Sequence, residues 1–370
     1  MSHHSPNFSS NKPLHLPKQV ALSLLEYSES SFTDPHTVVS LAEPAFDPTA
    51  FSHIGKIYEG VEPYRMGGHR VFKDPKHPQN CVHHFDPNHR EFFVVALEER
   101  TLLQALCIST RFFAGNPGSD LVLTLIDDLN NTEHPIPIPH LLPDAEHWLE
   151  GIDFHTTRIR LTFKAGGITR IWAFGETSDV QLDKLDWLSK NSQVVFQEDD
   201  FFGGPNFALS EQANRSTPHM LGWESSRSAM GLQAVFPIRS GTVQEVVIDT
   251  YRHVNNHLRS VWIFAATLPK GVELQKEDCP MWHITSSEGR EFCTHDLKAF
   301  FAEQEQAGNT LPTYSITVQS NTIWTLQSSF ELRRDAMHTR SDLNFQANHI
   351  CVMLLPHGGL HAIRILGMAD

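Results

Sequence analysis

Two short segments of this chain place a carboxylate three residues before a guanidinium. One contains Glu62 and Arg65, and the other contains Glu224 and Arg227. A carboxylate can accept or remove a proton, and a guanidinium can anchor an anion or donate hydrogen bonds to a developing charge. The same spacing is also typical of a salt bridge or a turn-fixing hydrogen bond, so the pattern leaves a catalytic pair and a structural pair open.

Further candidate side chains lie at the ends of apolar runs. Asp249 and Thr250 close one run, where they fit either a polar site or an Asx-type turn. His349 opens another run and is either a proton donor or an ordinary core histidine. The candidates for contacts with a bound molecule are Trp223, Thr250, Asn116, Tyr64 and His253.

The chain repeats a ten-residue segment at a long interval. The segment at Gly166 reads Gly-Gly-Ile-Thr-Arg-Ile-Trp-Ala-Phe-Gly, and the segment at Gly358 reads Gly-Gly-Leu-His-Ala-Ile-Arg-Ile-Leu-Gly. Such a period is too long for a solenoid and indicates a duplicated domain. A chain of 370 residues suits two domains of about 150–180 residues. Any site can therefore be a pair of half-sites, of which only one need be retained.

Short apolar runs separated by Gly, Pro, Asn and Asp predict an all-β protein with two tandem antiparallel β-sandwiches. Residues 158–163 alternate between polar and apolar side chains, which is the period of a strand. Helical spacing predicts a short helix at residues 20–27, a helical linker at 179–193 and a helix at 294–306. The predicted division is an N-terminal extension with a short helix (1–35), two sandwiches (36–178 and 194–370) and the linker between them.

The composition narrows the class of protein. The formal net charge is −14 and no run of Lys and Arg exists, so we expect neither nucleic acid nor a membrane as partner. The five cysteines form no C-x-x-C pair, which favours reduced thiols and a cytoplasmic location. His83, His84 and His89 fit no standard zinc spacing, so we expect no metal and no cofactor. A homo-oligomer stays open.

The repeated segments resemble those of the allantoicase family. In that family each repeat carries Asp-Gly-Trp-Glu-Thr-(Arg/Lys)-Arg, and this chain has Leu-Gly-Trp-Glu-Ser-Ser-Arg at 221–227 and Glu-Gly-Val-Glu-Pro-Tyr-Arg at 59–65. Family strands ending in Ile-Asp-Thr match 248–250 and, with Ser in place of Asp, 108–110. The resemblance implies two tandem jelly-roll sandwiches and hydrolysis of allantoate to ureidoglycolate and urea. The residues that it assigns to catalysis are Glu224, Arg227, Asp249, His349, Glu62 and Arg65.

Several polar positions of these motifs are changed here. Val61 and Pro63 replace Trp and Thr in the first repeat, Leu221 replaces the leading carboxylate of the second, and Ser109 replaces the strand-end Asp. Each unmatched polar group in a site for a small anion costs about 1–3 kcal/mol. The favoured interpretation is an allantoicase-like scaffold reused for cofactor-independent cyclisation, pericyclic addition, isomerisation or dehydration of a small organic substrate. The alternatives are a diverged ureide hydrolase and a non-catalytic module that binds a sugar or another small molecule.

Overall fold

The protein is a β-rich chain with two compact units, residues 1–184 and 185–370. Among the described residues, the strands of its sheets pair antiparallel except for one short parallel pair. The computed structural model describes residues 6–30, 32–47, 49, 56–63, 70–72, 81–83, 88–178, 185–198, 203–210, 222–225, 232–253, 256, 258–309, 314–319, 323–355 and 358–370.

The first unit contains twelve strands among the described residues and one short 3-10 helix, Pro35–Val39. The strands are β1 (Asn7–Ser9), β2 (Gln19–Val20), β3 (Leu22–Tyr27), β4 (Thr33–Asp34), β5 (Tyr58–Glu59), β6 (Arg70–Phe72), β7 (Cys81–His83), β8 (Glu91–Ser109), β9 (Val122–Asp127), β10 (Thr132–Pro137), β11 (Glu146–Phe163) and β12 (Arg170–Thr177).

Two long strands, β8 and β11, organise the first unit. The start of β8 pairs with the end of β11, and the end of β8 pairs with both the start of β11 and β12. The sheet continues from β11 to β9 and then to β10. Along the end of β11, Ile159, Leu161 and Phe163 are buried while Arg158 and Arg160 are partly exposed. One face of this sheet therefore packs in the core and the other meets solvent.

The second unit contains thirteen strands among the described residues. The strands are β13 (Asp186–Trp187), β14 (Phe196–Gln197), β15 (Trp223–Glu224), β16 (Leu232–Asp249), β17 (Ser260–Ala266), β18 (Met281–Ser286), β19 (Glu291–Thr294), β20 (Tyr314–Gln319), β21 (Thr325–Glu331), β22 (Met337–Arg340), β23 (Phe345–Leu355), β24 (Gly359–Leu360) and β25 (Ala362–Ala369). The helices are Pro205–Ala208, the 3-10 helix Lys276–Asp278, and Leu297–Gln306.

The second unit repeats the pairing of the first. The start of β16 pairs with β23, and its end pairs with β22 and β25. β23 is joined by β17, which pairs in turn with β21. Where β9 and β10 are linked by the turn 128–131, the corresponding strands β17 and β21 are separated by residues 267–324. This insertion holds the small sheet β19-β18-β20 and the helix Leu297–Gln306.

The insertion gives the second unit a second hydrophobic core. Leu232, Phe236 and Ile350 belong to the core on one face of the β16–β23 sheet. On the opposite face, Val235 and Cys351 belong to a separate core that includes side chains of the insertion. The residues of the insertion in this core are Cys279, Trp282, Ile284, Leu297, Phe300 and Trp324.

The helix predicted at residues 20–27 is wrong, because this segment forms β2 and β3. β3 pairs with β8 through a register shift between Leu24 and Glu26. The shift places Leu24 and Tyr27, three residues apart, among the buried side chains, and this spacing imitates a helix. The segment 1–35 is thus no helical extension: β1, β2 and β3 pair with strands of the first unit.

The helical linker predicted at 179–193 is also wrong where the chain is described. Residues 185–193 contain β13 and a turn, while 179–184 lie outside the described residues. Asp186 and Trp187 pair with β25, so local pairing overrides the helical spacing of the leucines. The helix predicted at 294–306 is confirmed by Leu297–Gln306, which Asp296 caps by accepting from the Ala299 N–H. No helix among the described residues has the length and apolar character needed to cross a membrane.

Candidate functional site

Each Gly-Gly turn lies against the Glu-containing motif of its own unit. In the first unit the Val61 N–H donates to the Ile168 carbonyl at 2.8 Å, and the Ile168 N–H donates back at 3.0 Å. In the second unit Trp223 pairs with Leu360 in the same antiparallel way. The duplicated motifs therefore occupy equivalent places at the loop end of each unit.

The glycine before each motif makes this close approach possible. Gly60 has φ +95° and Gly222 has φ +128°, conformations that residues with a side chain rarely adopt. A Cβ at Gly222 would lie 2.5 Å from the Leu360 carbonyl oxygen. The Ile168 carbonyl would block a Cβ at Gly60 in the same manner.

The glutamate of each motif is held by an asparagine. Asn116 Nδ2 donates to Glu62 Oε1 in the first unit, and Asn256 Nδ2 donates to Glu224 Oε1 at 2.5 Å in the second. The second glycine of each Gly-Gly turn donates its N–H to the carbonyl of the same asparagine, at 2.8 Å in the first unit and 2.6 Å in the second. The glutamate, the asparagine and the glycine turn thus form a hydrogen-bonded cluster, and each unit of the chain contains one such cluster.

The two loop ends differ in the side chain that covers this hydrogen-bonded cluster. In the first, Phe113 packs on Gly167 and is 2% exposed, and Glu62 is 1% exposed. In the second, His253 packs on Gly359, and both His253 and Glu224 are partly exposed. Of the two described loop ends, only the second presents a carboxylate and an imidazole to a molecule arriving from solvent.

Asp249 and Thr250 shape the turn next to this site. The Asp249 carboxylate is 2% exposed and its Oδ1 accepts from the Tyr251 N–H at 2.8 Å, as an Asx-type turn requires. Thr250 Oγ1 donates to the Arg333 and Ala336 carbonyls at 2.6 and 3.0 Å. Both side chains therefore have structural hydrogen bonds close to the candidate site.

A buried cation lies near Asp249. Burial lowers the pKa of the Arg364 guanidinium, and the Asp249 carboxylate opposes that shift. Burial also lowers the pKa of His338 to about 4, which keeps this imidazole neutral at pH 7. Arg364 therefore supplies a positive charge near the buried Asp249, whereas His338 does not.

Sequence reasoning missed three residues of the second loop end: Asn256, Tyr251 and His361. The Tyr251 ring lies edge-on to His361, with ring centroids 5.2 Å apart. His361 is two residues beyond Gly359, and its N–H donates to the Asp249 carbonyl at 2.6 Å. Their positions beside the strand-end Asp and the Gly-Gly turn were a usable signal, because these two segments meet in both units.

His349 lies away from the other candidates. It pairs with Pro237 and Ala266 within the sheet, and its Nδ1 is 2.8 Å from Asn348 Oδ1. Six residues of extended strand separate it from Leu355, the end nearest the Gly-Gly turn, which amounts to about 20 Å. The structure therefore does not bring His349 together with Glu224.

The remaining predicted residues lie outside the described residues: Tyr64, Arg65 and Arg227. Four cysteines, Cys107, Cys279, Cys293 and Cys351, are free thiols. Within the described ranges, no group of three or more His, Cys, Asp or Glu side chains is arranged to hold a metal ion.

A sequence model of the allantoicase repeat matches residues 185–370, which is the whole of the second unit. The chain belongs to the allantoicase family. Similar solved structures include the allantoicase of Saccharomyces cerevisiae, at 15% identity over 95% of this chain and 92% of that chain, with a TM-score of 0.33. A second allantoicase structure shares 15% identity over 94% of this chain and 91% of that chain, with a TM-score of 0.30.

A fucolectin from striped bass (Morone saxatilis) serum shares 9% identity over 95% of this allantoicase-family chain and 100% of the lectin, with a TM-score of 0.27. No curated protein sequence matches the chain.

Proposed function

We propose that this allantoicase-family protein is an enzyme for a small organic substrate, with its single site at the loop end of the second unit. The observation that carries the proposal is the contrast between His253 with Glu224, both partly exposed, and Phe113 with Glu62, both buried. The first loop end would then be a structural remnant of the duplication.

The chemistry that this site supports is proton transfer. Glu224 would act as base or hydrogen-bond acceptor, and His253 would donate or accept a proton near neutral pH. Asn256 would fix the Glu224 carboxylate, and Arg227 would supply a cation for an anionic group of the substrate. For a reused scaffold, this favours a cofactor-independent isomerisation, dehydration or acid–base cyclisation over a pericyclic addition, which needs no proton transfer.

A second candidate function is hydrolysis of allantoate. Membership of the allantoicase family over the whole second unit favours it, and the partly exposed Glu224–Asn256 pair supplies hydrogen-bonding groups for a ureide. Against it stand the replaced polar positions of the motif.

The fold that we infer for each unit is the jelly roll, since β8 and β16 each change partners halfway along their length.

The deciding experiment is incubation of the full chain with allantoate and measurement of urea. Urea release at an enzymatic rate that His253→Phe abolishes would establish hydrolysis and reject the reuse of the scaffold. His253→Phe reproduces the arrangement of Phe113 on Gly167, so the fold should tolerate it. Phe113→His is the matched control in the first unit, and it should leave the rate unchanged.

Where no urea is released, the same variants test the site itself. Small-molecule extracts fractionated on the immobilised wild-type chain should yield a ligand that the His253→Phe chain does not retain. Equal retention by both chains would contradict a site at this loop end.

A further inference from the structure

The insertion of the second unit encloses a carboxyl group that the proposed site does not use. Glu198 follows β14, and its N–H donates to the Gln233 carbonyl at 3.0 Å. The first unit has Ser28 in this position, where its N–H donates to the Phe92 carbonyl at 2.9 Å, and it lacks the insertion. The second unit therefore has a carboxyl group where the first unit has a serine hydroxyl, which donates to the buried Glu91.

The polar atoms at this place are buried and poorly hydrogen-bonded. Both carboxylate oxygens of Glu198 and the Nε2 of Gln233 lack a hydrogen bond of normal geometry among the described residues, although the Gln233 side chain lies close enough to lower the pKa of Glu198 as a weak donor. Gln233 is 0% exposed, and its Oε1 accepts only a long contact from the Cys351 thiol, at 3.7 Å. A poorly hydrogen-bonded carboxyl in an apolar core is tolerated when it is protonated and is costly when it is ionised.

The charges around Glu198 favour the protonated form. Burial, and to a lesser degree the Asp296 carboxylate, raise the pKa of Glu198 to about 8 against the opposing effects of Gln233 and Lys276. The titratable groups that face Glu198 from the insertion and the sheet are Asp296, Lys276, Cys279 and Cys351. Burial raises the pKa of both thiols, so they stay neutral while Glu198 titrates.

We propose that the described residues of the insertion, 267–309, 314–319 and 323–324, form a cover over the outer face of the β16–β23 sheet, closed while Glu198 is protonated and loosened when it ionises. Ionisation would place a charge between the sheet and the insertion that the weak contact with Gln233 and the attraction of Lys276 do not offset. Local opening would hydrate that charge, at the expense of contacts between the sheet and Trp282, Leu297 and Phe300. In this proposal, protonation of Glu198 alone closes the cover, without a cofactor and without a change at another residue.

The test is amide hydrogen exchange of the full chain between pH 6 and pH 9.5, corrected for the intrinsic pH dependence of exchange. Exchange in β18 and in the helix Leu297–Gln306 should rise at least tenfold, with a midpoint near pH 8. In Glu198→Gln the corrected exchange should stay constant over this range. Fluorescence of the buried Trp282 and Trp324 should shift to longer wavelength with the same midpoint.

Two further variants make the proposal falsifiable even where Glu198→Gln fails to fold. Asp296→Asn, which keeps an N-cap, should move the midpoint to lower pH, and Lys276→Gln should move it to higher pH. Glu288→Gln, an exposed position on the same insertion, should not move it. A corrected exchange rate that is independent of pH in the wild type, or a midpoint unaffected by Asp296→Asn and Lys276→Gln, would overturn the proposal.

Discussion

Replacing the second glycine of the Gly-Gly turn with alanine should lower the unfolding free energy more in the first unit than in the second. At Gly167, a Cβ would meet three ring carbons of Phe113, all far inside the separation of about 3.5 Å at which carbon atoms pack. At Gly359, a Cβ would meet the His253 ring, with Nε2 at 3.0 Å and two ring atoms closer. The backbone around Gly167 resembles the backbone around Gly359. The difference in cost between the two substitutions therefore depends on whether the neighbouring ring can move away.

Phe113 is 2% exposed and cannot turn into solvent, so Gly167→Ala should cost about 1–3 kcal/mol of unfolding free energy by overpacking. His253 is partly exposed and can rotate towards solvent, which limits the cost of Gly359→Ala to about 0.5–1.5 kcal/mol of rotamer strain. Urea denaturation of the full chain measures both values. Equal costs, or a larger cost at Gly359, would refute the claim that the first loop end is closed and the second open.

Three other substitutions follow from the same geometry. Glu62→Leu should cost about 1–3 kcal/mol, because it leaves the Asn116 Nδ2 without its acceptor at a buried position, while Glu224→Leu should cost less because Glu224 is partly exposed; denaturation midpoints check this. The pKa of Glu198 is about 8 in the folded chain and 4.5 in the unfolded chain. The unfolding free energy should therefore fall as the pH rises from about 4.5 to about 8. Glu198→Gln should remove this fall and gain up to about 3 kcal/mol at pH 7 but nothing at pH 4, in denaturation series at both pH values. Thr110→Val and Thr250→Val should each cost about 1–2 kcal/mol, because the Leu142 or Arg333 carbonyl loses its hydroxyl donor and the Ala145 or Ala336 N–H loses its acceptor; a loss in only one unit would contradict their equivalence.

The strand pattern of the chain contains more information than the fold class. Residues 157–163 alternate and form a strand with one exposed face, whereas residues 350–354 are continuously apolar and are buried on both faces. A continuous apolar run in an antiparallel sheet requires a cover on each side. The insertion 267–324 is that cover, and it could have been predicted from the contrast between two otherwise equivalent strands.

The candidate site could be predicted only where two repeated segments specify it together. The meeting of the Glu motif with the Gly-Gly turn follows from their shared order in both halves, and the structure shows it twice. The place of His349 could not be inferred from its run, because a sequence neighbour six residues along a strand is about 20 Å away. The partner of Glu224 is Asn256, which lies in a loop where no periodicity constrains the contact.

The retention of the Glu–Asn pair in both units argues against assigning function from that pair alone. Glu62 keeps its asparagine although it is 1% exposed and thus closed to a substrate arriving from solvent. A contact that persists in a closed loop end must have a structural role, which is to join the motif to the Gly-Gly turn. Function in the second unit should therefore depend on what differs between the units, and the largest difference at this turn is His253 in the place of Phe113.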